Sequence, residues 1–213
     1  MTRFILVRHG KCEANINETF AGHTDAPLSE LGFIQASKSA DYIKENFKID
    51  LVFASDLKRA FNTGKTIADK LNLNVIENKN LREIYAGKWE GLKFSDILNQ
   101  YPETYKIWKE DIGNAKPDDG ETVSELQTRI INELKSIAEN SNGKTVLIAT
   151  HATPIRALAC YIKGWPLTDM KNIPWVSNAS ITVVNFNNGK FEIETEGYDE
   201  HLGEIASSLP KNV

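Results

Sequence analysis

A short apolar stretch near the start of the chain, residues 4–7, is followed at once by Arg8-His9-Gly10. Four consecutive apolar residues predict a β-strand that is buried on both faces. Open α/β sheets bind their ligands at the carboxyl ends of such strands, which is where Arg8 and His9 stand. Gly10 has no Cβ, so the backbone can turn sharply there and approach a bound group. For the tripeptide alone, a basic surface turn is the simpler interpretation.

Two further apolar stretches repeat this arrangement. Residues 51–54 predict a second buried strand, and Arg59 falls in the first turn of the helix that follows it. Residues 146–150 predict another buried strand, which ends at His151. Independent surface turns have no reason to repeat this placement, so we expect Arg8, His9, Arg59 and His151 to lie together beyond the carboxyl edge of one sheet.

Helix signals stand between the predicted strands. Ser29 is a predicted N-cap for a helix that runs to about residue 47. The predicted apolar stripe of that helix consists of Leu31, Ile34, Ala40, Ile43 and Phe47. Ser55 and Asp56 are the predicted cap residues of the next helix. Thr122 and Glu125 have the spacing of a capping box, and Pro154 suits the first turn of a helix after His151.

The remaining patterns complete an α/β domain. Residues 75–76 predict a brief strand, and Asn187-Asn188-Gly189 predicts a hairpin turn between two strands. Strands that alternate with helices predict an α/β fold, a three-layer α/β/α sandwich with a mostly parallel sheet and an antiparallel edge. Between residues 84 and 120 the pattern loosens, which we interpret as a small insertion that covers part of the site. The expectation is a single domain over residues 1–213.

Composition excludes several classes of protein. The net charge of −4 leaves no broad basic surface for a nucleic acid. No apolar run reaches the length of a membrane span, and the run at residues 4–7 is too short for a signal peptide. Two cysteines, Cys12 and Cys160, make a disulfide framework improbable and suit a reducing compartment. These features predict a cytoplasmic protein that binds neither nucleic acid nor membrane.

The four strand-end residues suit phosphate chemistry. Two arginines form an anion site, because each guanidinium can pair with two oxygens of a phosphate or carboxylate. Two histidines beside such a site, His9 and His151, can supply a nucleophile and a hydrogen-bond donor. Glu83 is a candidate proton donor from its position after the brief strand. A solvated surface glutamate with Arg82 as its companion is the alternative interpretation of Glu83.

The ordered set of motifs resembles the histidine phosphatase superfamily, also called the phosphoglycerate mutase-like family, from residue 3 to about residue 182. The opening motif matches Arg8-His9-Gly10 with Asn15. Further matches are Gly22, Asp25, Pro27, Leu28, Gly32 and Gln35; Ser55-Asp56-Leu57-Lys58-Arg59-Ala60; Leu81-Arg82-Glu83 with Gly87, Trp89, Glu90 and Gly91; and Gly120-Glu121-Thr122 before His151. Several matches in a fixed order are far more specific than the tripeptide.

The resemblance implies a role for each matching residue. His9 would be the nucleophile that becomes phosphohistidine, and Glu83 would protonate the leaving oxygen and then activate water. The phosphoryl oxygens would be bound by Arg8, Arg59 and His151. Other implied substrate contacts are Asn15, Ala21, Gly22 and Ala152. The implied partner is a small phosphorylated metabolite, with no cofactor and no metal, and nothing in the sequence indicates an oligomeric state.

Departures from the family pattern favour its phosphatase branch. Lys11 and Cys12 replace the usual Glu or Gln and Ser or Thr. After Glu83, Ala86 occupies the position of the mutases' tyrosine, and the paired arginines of the mutases are absent. The segment from Gly87 to Gly91 looks like phosphatases that act on small phosphomonoesters, such as α-ribazole phosphate or phosphoserine. A bisphosphoglycerate-dependent mutase is the rival enzyme, and a non-catalytic phosphate-dependent binding protein is the alternative of another class.

Several single residues carry open interpretations. We expect His23 near the mouth of the site and His201 on the surface. Asp118-Asp119 is predicted to be a solvated turn. Four aromatic residues are candidates either for the pocket or for the core: Phe20, Trp89, Trp108 and Trp175.

Overall fold

The computed structural model describes residues 1–207, so the last six positions of the predicted domain, 208–213, lie outside the described residues. The strands are β1 (Thr2–Arg8), β2 (Leu51–Ala54), β3 (Val75–Glu77), β4 (Thr145–Thr150), β5 (Ile181–Asn187) and β6 (Lys190–Tyr198). The helices are α1 (Glu13–Ile16), α2 (Glu30–Asn46), α3 (Lys58–Leu71), α4 (Phe94–Gln100), α5 (Pro102–Glu110), α6 (Val123–Asn140) and α7 (Ala152–Ile162).

The six strands form one sheet in the order β3-β2-β4-β1-β5-β6. The pairs β3-β2, β2-β4 and β4-β1 are parallel, whereas β5 and β6 add an antiparallel edge. Side chains of β1 alternate between two cores. Phe4 and Leu6 pack into the core that contains α6 and α7, and Ile5 and Val7 pack into the core that contains α2. A sheet with a core on each face confirms the predicted three-layer α/β/α sandwich.

Helix α2 begins as predicted but buries a different face. The Gly32 N–H donates to Oγ of Ser29 over 3.1 Å, so Ser29 is the N-cap. Ile34, a member of the predicted stripe, is exposed, and Leu31 is only half-buried. The buried residues are Gly32, Gln35, Ala36, Ser39, Ala40 and Ile43. Most of these residues are small, which lets α2 lie directly against α3 and against the loop after β1.

The cap of helix α3 comes from a distant loop. Ser55 and Asp56 were the predicted caps, but the N-cap residue is Leu57, which provides no side-chain acceptor. Asp25 instead accepts the Lys58 N–H over 2.7 Å. Asp56 binds the guanidinium of Arg82. The prediction was wrong because a cap supplied across 33 residues leaves no local sequence signal.

The other local signals are confirmed. Thr122 and Glu125 form the reciprocal capping box of α6. Pro154 lies in the first turn of α7. Asn188 and Gly189 both have positive φ angles, as the tight turn between β5 and β6 requires.

Residues 84–120 contain α4, α5 and two short 3-10 turns, Gly87–Trp89 and Ile112–Asn114. Trp89 is fully buried in this segment, and its Nε1–H donates to Oδ2 of Asp118 over 3.2 Å. Thr104 donates to the same oxygen over 2.7 Å. Asp118 is therefore an acceptor that holds the segment together, and its predicted role in a solvated turn is wrong. Asp119 is exposed and pairs with Lys88.

Two glycines allow the loop after β1 to approach helix α2 closely. A Cβ on Gly10 would lie 2.4 Å from the carbonyl oxygen of Gly32, and a Cβ on Gly32 would lie 2.0 Å from the carbonyl oxygen of Lys11. Any side chain at either position would displace the backbone. The contact between this loop and α2 fixes the backbone at Gly10 and Lys11, directly after His9.

His201 is partly buried and packed against other rings, and not the exposed surface residue that was expected. Its ring stacks on Tyr42 with centroids 5.2 Å apart and on Tyr198 with centroids 5.5 Å apart. Its Nε2 lies 2.9 Å from Oγ of Ser39. The prediction failed because the partners come from α2 and β6, far away in the sequence. Among the described residues, no helix is both long and apolar enough to cross a membrane.

Candidate active site

The carboxyl ends of β1 and β4 meet, because these strands are parallel neighbours in register from Arg3↔Thr145 to Arg8↔Thr150. His9 and His151 follow directly, and their ring centroids lie 5.2 Å apart. Arg59 enters the same place from the first turn of α3. A cavity of about 590 Å³ opens there, and its lining includes Arg8, His9 and Arg59. We call these three residues the cationic cluster, after the charges of its two arginines.

The ring of His9 is oriented by the backbone. Its Nδ1 lies 2.8 Å from the carbonyl oxygen of Gly10. A carbonyl only accepts hydrogen bonds, so Nδ1 carries the proton, and Nε2 of the neutral ring keeps its lone pair. Burial holds the pKa of His9 well below its ordinary value, and the charges of Arg59 and Arg8 lower it further. His9 is therefore neutral at physiological pH, with Nε2 free to act as a nucleophile.

The two arginines are buried and held by backbone carbonyls. Arg8 donates to the carbonyl of Val176. Arg59 donates to the carbonyls of Gly22 and Thr24, over 2.7 and 2.8 Å. Burial lowers the pKa of Arg8 to about 10, so its guanidinium remains charged at neutral pH. Nε of Arg8 and Nε of Arg59 are buried without a hydrogen-bond partner among the described residues. Each guanidinium group of the cationic cluster thus keeps one donor without a described partner.

His151 lies behind the cavity wall and not in it. It is fully buried, and its Nε2 lies 2.9 Å from Oγ of Ser55. Its Nδ1 is buried without a partner in the part of the chain that is described. Burial lowers the pKa of His151 well below its ordinary value, and the charge of Arg59 lowers it further. The ring is therefore neutral.

Glu83 is half-buried and lines the cavity. Its Oε1 accepts the Ile84 N–H over 2.8 Å, and its Oε2 accepts the Thr153 N–H over 3.4 Å. Arg82, the companion in the alternative interpretation, pairs with Asp56 instead. The structure therefore places Glu83 with the cationic cluster and not in a surface ion pair.

Asn15 lines the cavity, and its side-chain oxygen is held by its neighbours. Cys12 donates to Oδ1 of Asn15 from its N–H over 3.1 Å and from its thiol over 3.2 Å. Asn178 donates to the same oxygen over 3.2 Å and to the carbonyl of His9 over 3.0 Å. These bonds orient the Asn15 amide NH₂. Asn178 also lines the cavity, and sequence analysis missed it because its loop precedes a strand and carries no motif.

The other predicted contacts divide into two groups. Ala21, Gly22 and Ala152 line the cavity as expected. His23 does not line it. The Nε2 of His23 lies 2.9 Å from the carbonyl oxygen of Glu83, so His23 supports the backbone of that residue.

Aromatic side chains form a second part of the cavity lining. Phe20, Phe94, Trp108 and Trp175 face it, and we call them the aromatic lining. Trp89 belongs to the core alone. Lys11 also lines the cavity, whereas the other described lysines do not. Among the described residues, no group of three or more His, Cys, Asp or Glu side chains could hold a metal ion.

The family model of the histidine phosphatase superfamily (branch 1) matches residues 4–198. The chain therefore belongs to this superfamily, as the motifs indicate, and has its phosphoglycerate mutase-like fold.

Known proteins agree with this assignment. Phosphoserine phosphatase 1 of Hydrogenobacter thermophilus is 30% identical over 205 residues, which cover 96% of each chain. Among solved structures, Bacillus stearothermophilus YhfR superimposes with a TM-score of 0.90 at 27% identity, over 95% of this chain and 100% of that one. A phosphoserine phosphatase of Entamoeba histolytica in complex with phosphoserine has a TM-score of 0.83 at 25% identity, over 95% and 100%. The chain is a phosphoric monoester hydrolase of the phosphatase branch.

Proposed function

We propose that the enzyme hydrolyses small phosphorylated metabolites in two steps, through a phosphohistidine on His9 and without a metal ion. The observation that carries this proposal is the hydrogen bond from Nδ1 of His9 to the Gly10 carbonyl. It leaves the lone pair of Nε2 as the nucleophile, and the lowered pKa of His9 keeps that lone pair unprotonated.

The cationic cluster replaces the charge that a metal ion supplies in other phosphatases. Phosphoryl transfer depends mainly on positioning and on charge stabilisation. The guanidinium groups of Arg8 and Arg59 would bind the phosphoryl oxygens, and the NH₂ of Asn15 would assist. His151, whose ring centroid lies 5.2 Å from that of His9, has a buried Nδ1 without a partner among the described residues, and we propose that this nitrogen assists in binding the phosphoryl group.

Glu83 would transfer the protons of both steps. In the first step, Nε2 of His9 attacks phosphorus, the ester P–O bond breaks, and protonated Glu83 gives its proton to the leaving oxygen. In the second step, the Glu83 carboxylate takes a proton from water, which attacks phosphorus and breaks the P–N bond. Inorganic phosphate leaves, and Glu83 regains its proton.

The cavity lining favours hydrolysis over mutase chemistry. A mutase must hold a bisphosphate intermediate at both ends while it reorients. Apart from the cationic cluster, the described cationic side chain in the lining is Lys11, and the other lining residues are apolar, neutral polar or acidic. Lys93, Lys106, Lys109 and Lys116 do not line the cavity. Binding alone would need neither the free Nε2 of His9 nor Glu83, which argues against a non-catalytic protein.

His9→Ala tests the proposal. The variant should lose at least about 10³-fold in kcat with p-nitrophenyl phosphate, measured in EDTA. It should still bind inorganic phosphate in calorimetry, because Arg8 and Arg59 remain. Near-normal turnover by this variant, or activity of the wild-type enzyme that requires magnesium or manganese, would contradict the proposal. Retained phosphate binding shows that a loss of turnover is not a loss of the fold.

A further inference from the structure

Trp175 stands between a buried arginine and the active-site cavity. The guanidinium carbon of Arg156 lies 3.9 Å from the centroid of the Trp175 ring. Trp175 lines the cavity, but Arg156 does not. One side of the indole is therefore occupied by a cation, and another part of it faces the space next to the cationic cluster.

Arg156 is fixed in this position. It is 2% exposed and donates to the carbonyl of Ile173 from Nε over 3.0 Å and from Nη2 over 2.8 Å. Nη2 also donates to the carbonyl of Met170 over 3.1 Å. Burial lowers the pKa of Arg156 to about 10, so the guanidinium stays charged at neutral pH. A cation that is held by three hydrogen bonds restricts the ring that it stacks on.

The rest of the aromatic lining is also held in place. Phe20 contacts Phe94 edge-on with centroids 6.0 Å apart, and it contacts Trp108 with centroids 5.0 Å apart. Phe20 and Trp108 are buried, whereas Phe94 and Trp175 keep part of their surface open. Ile16, which is exposed, adds an aliphatic side chain to the same lining. Fixed rings with open faces can bind a flat apolar group without first being ordered.

The size of the cavity exceeds what a short leaving group requires. Its volume is about 590 Å³, within the range of sites that enclose drug-sized ligands. A phosphoryl group bound by the cationic cluster occupies a small part of it. The leaving group, attached through the ester oxygen, must then lie in the remaining space, where it can contact the aromatic lining.

Two charged side chains in the lining, Lys11 and Glu18, would suit a zwitterionic leaving group such as serine. Glu18 is exposed, and Lys11 is half-buried. An ion pair in contact with water contributes about a few-fold to affinity. Burial of a ring against other rings contributes about tenfold or more. The aromatic contacts therefore outweigh the charged ones.

We propose that the aromatic lining, with Trp175 held by Arg156, is a subsite for a ring-bearing leaving group. The substrate class is then the phosphomonoesters of alcohols that carry a flat apolar ring, in preference to phosphoserine or short alkyl phosphates. This inference rests on the proposed function, because the subsite is defined by a phosphoryl group on the cationic cluster.

Competing substrates with similar leaving-group chemistry test the subsite. 2-Phenylethyl phosphate and n-propyl phosphate both release a primary alcohol, so the ring is the main difference between them. We expect kcat/KM for 2-phenylethyl phosphate to exceed that for n-propyl phosphate and for phosphoserine at least about tenfold, mainly through a lower KM. A kcat/KM for phosphoserine equal to or above that for 2-phenylethyl phosphate would overturn the proposal.

The preference for the ring is the kcat/KM for 2-phenylethyl phosphate divided by that for n-propyl phosphate. Trp175→Ala should lower this ratio to about three or less, and Trp175→Phe should restore part of the preference. Trp165→Ala is the matched control, because Trp165 is 42% exposed and does not line the cavity. The control should keep the wild-type ratio. A Trp175→Ala variant with an unchanged ratio would sink the subsite. Absence of turnover for every ester by wild-type enzyme would instead refute the proposed function.

Discussion

The cationic cluster and the aromatic lining share one cavity but are built differently. Arg8 and Arg59 each donate to backbone carbonyls, and His9 is held by the carbonyl of its neighbour. The aromatic lining is held by contacts between rings and by one cation, and its members come from loops and from the segment 84–120. Hydrogen bonds to the backbone fix a geometry, whereas apolar contacts tolerate exchange of one side chain for another. We infer that the cationic cluster determines the reaction, whereas the aromatic lining determines which leaving group is preferred.

Glu83→Gln should show the largest effect that depends on the leaving group. Esters of alcohols need a proton on the departing oxygen, so the rate of phosphoenzyme formation from n-propyl and from 2-phenylethyl phosphate should fall about 10³-fold. With p-nitrophenyl phosphate this rate should fall less than about tenfold, because p-nitrophenolate departs without a proton. The presence of a ring in the leaving group should not change the loss, and hydrolysis of the phosphoenzyme should slow equally for all three esters. Equal slowing of phosphoenzyme formation from all three esters in rapid-quench assays would indicate that Glu83 positions the phosphate or supports the fold.

Arg59→Lys should weaken catalysis without regard to the leaving group. Lysine keeps the charge but cannot bind two carbonyls and a phosphoryl oxygen in one plane. We expect kcat/KM to fall about 10²-fold for n-propyl and for 2-phenylethyl phosphate alike. Arg3→Lys is the control, since Arg3 lies at the opposite end of β1 and pairs with Glu194. A change in the ratio of the two substrates would show that the two parts of the cavity are not separate.

The two buried histidines of the site, His9 and His151, should also make stability depend on pH. The pKa values of His9 and His151 are lowered in the folded protein, mainly by burial. The unfolded chain then binds more protons as pH falls through about 6.5, so the free energy of unfolding decreases between pH 7 and pH 5. The loss is at most about 2 kcal/mol for each histidine at pH 5.

Urea unfolding at both pH values measures this loss. His151→Asn, which can keep a hydrogen bond to Ser55, should show a shallower decrease than the wild-type protein. If the free energy of unfolding decreased equally in the two proteins between pH 7 and pH 5, folding would not hinder the protonation of His151, which would contradict this prediction.

The cationic cluster was predictable because its signal is local. Residues 4–7 and 146–150 are recognisable as buried strands, and parallel strands place their carboxyl ends at one edge. Arg8, His9, Arg59 and His151 therefore had to approach each other once the order of elements was known. The one-domain description with a covering insertion at 84–120 stays a prediction.

What sequence analysis missed depends on contacts between distant residues. The cap of α3 comes from Asp25, and the partners of His201 come from α2 and β6. Whether an aromatic residue lines the cavity or fills the core is decided by packing. Trp89 and Trp108 stand in the same irregular segment, yet only Trp108 lines the cavity. Neither composition nor periodicity separates the two.

The site of phosphorylation on the enzyme tests the central claim most directly. Wild-type protein is mixed with substrate, quenched rapidly without acid, digested, and analysed by mass spectrometry and ³¹P NMR. The account predicts an acid-labile, base-stable phosphoryl group on Nε2 of His9, because Nδ1 is engaged by the Gly10 carbonyl. A phosphoryl group on Nδ1, on Cys12 or on any other residue would contradict it, as would turnover with no phosphoenzyme in the presteady state.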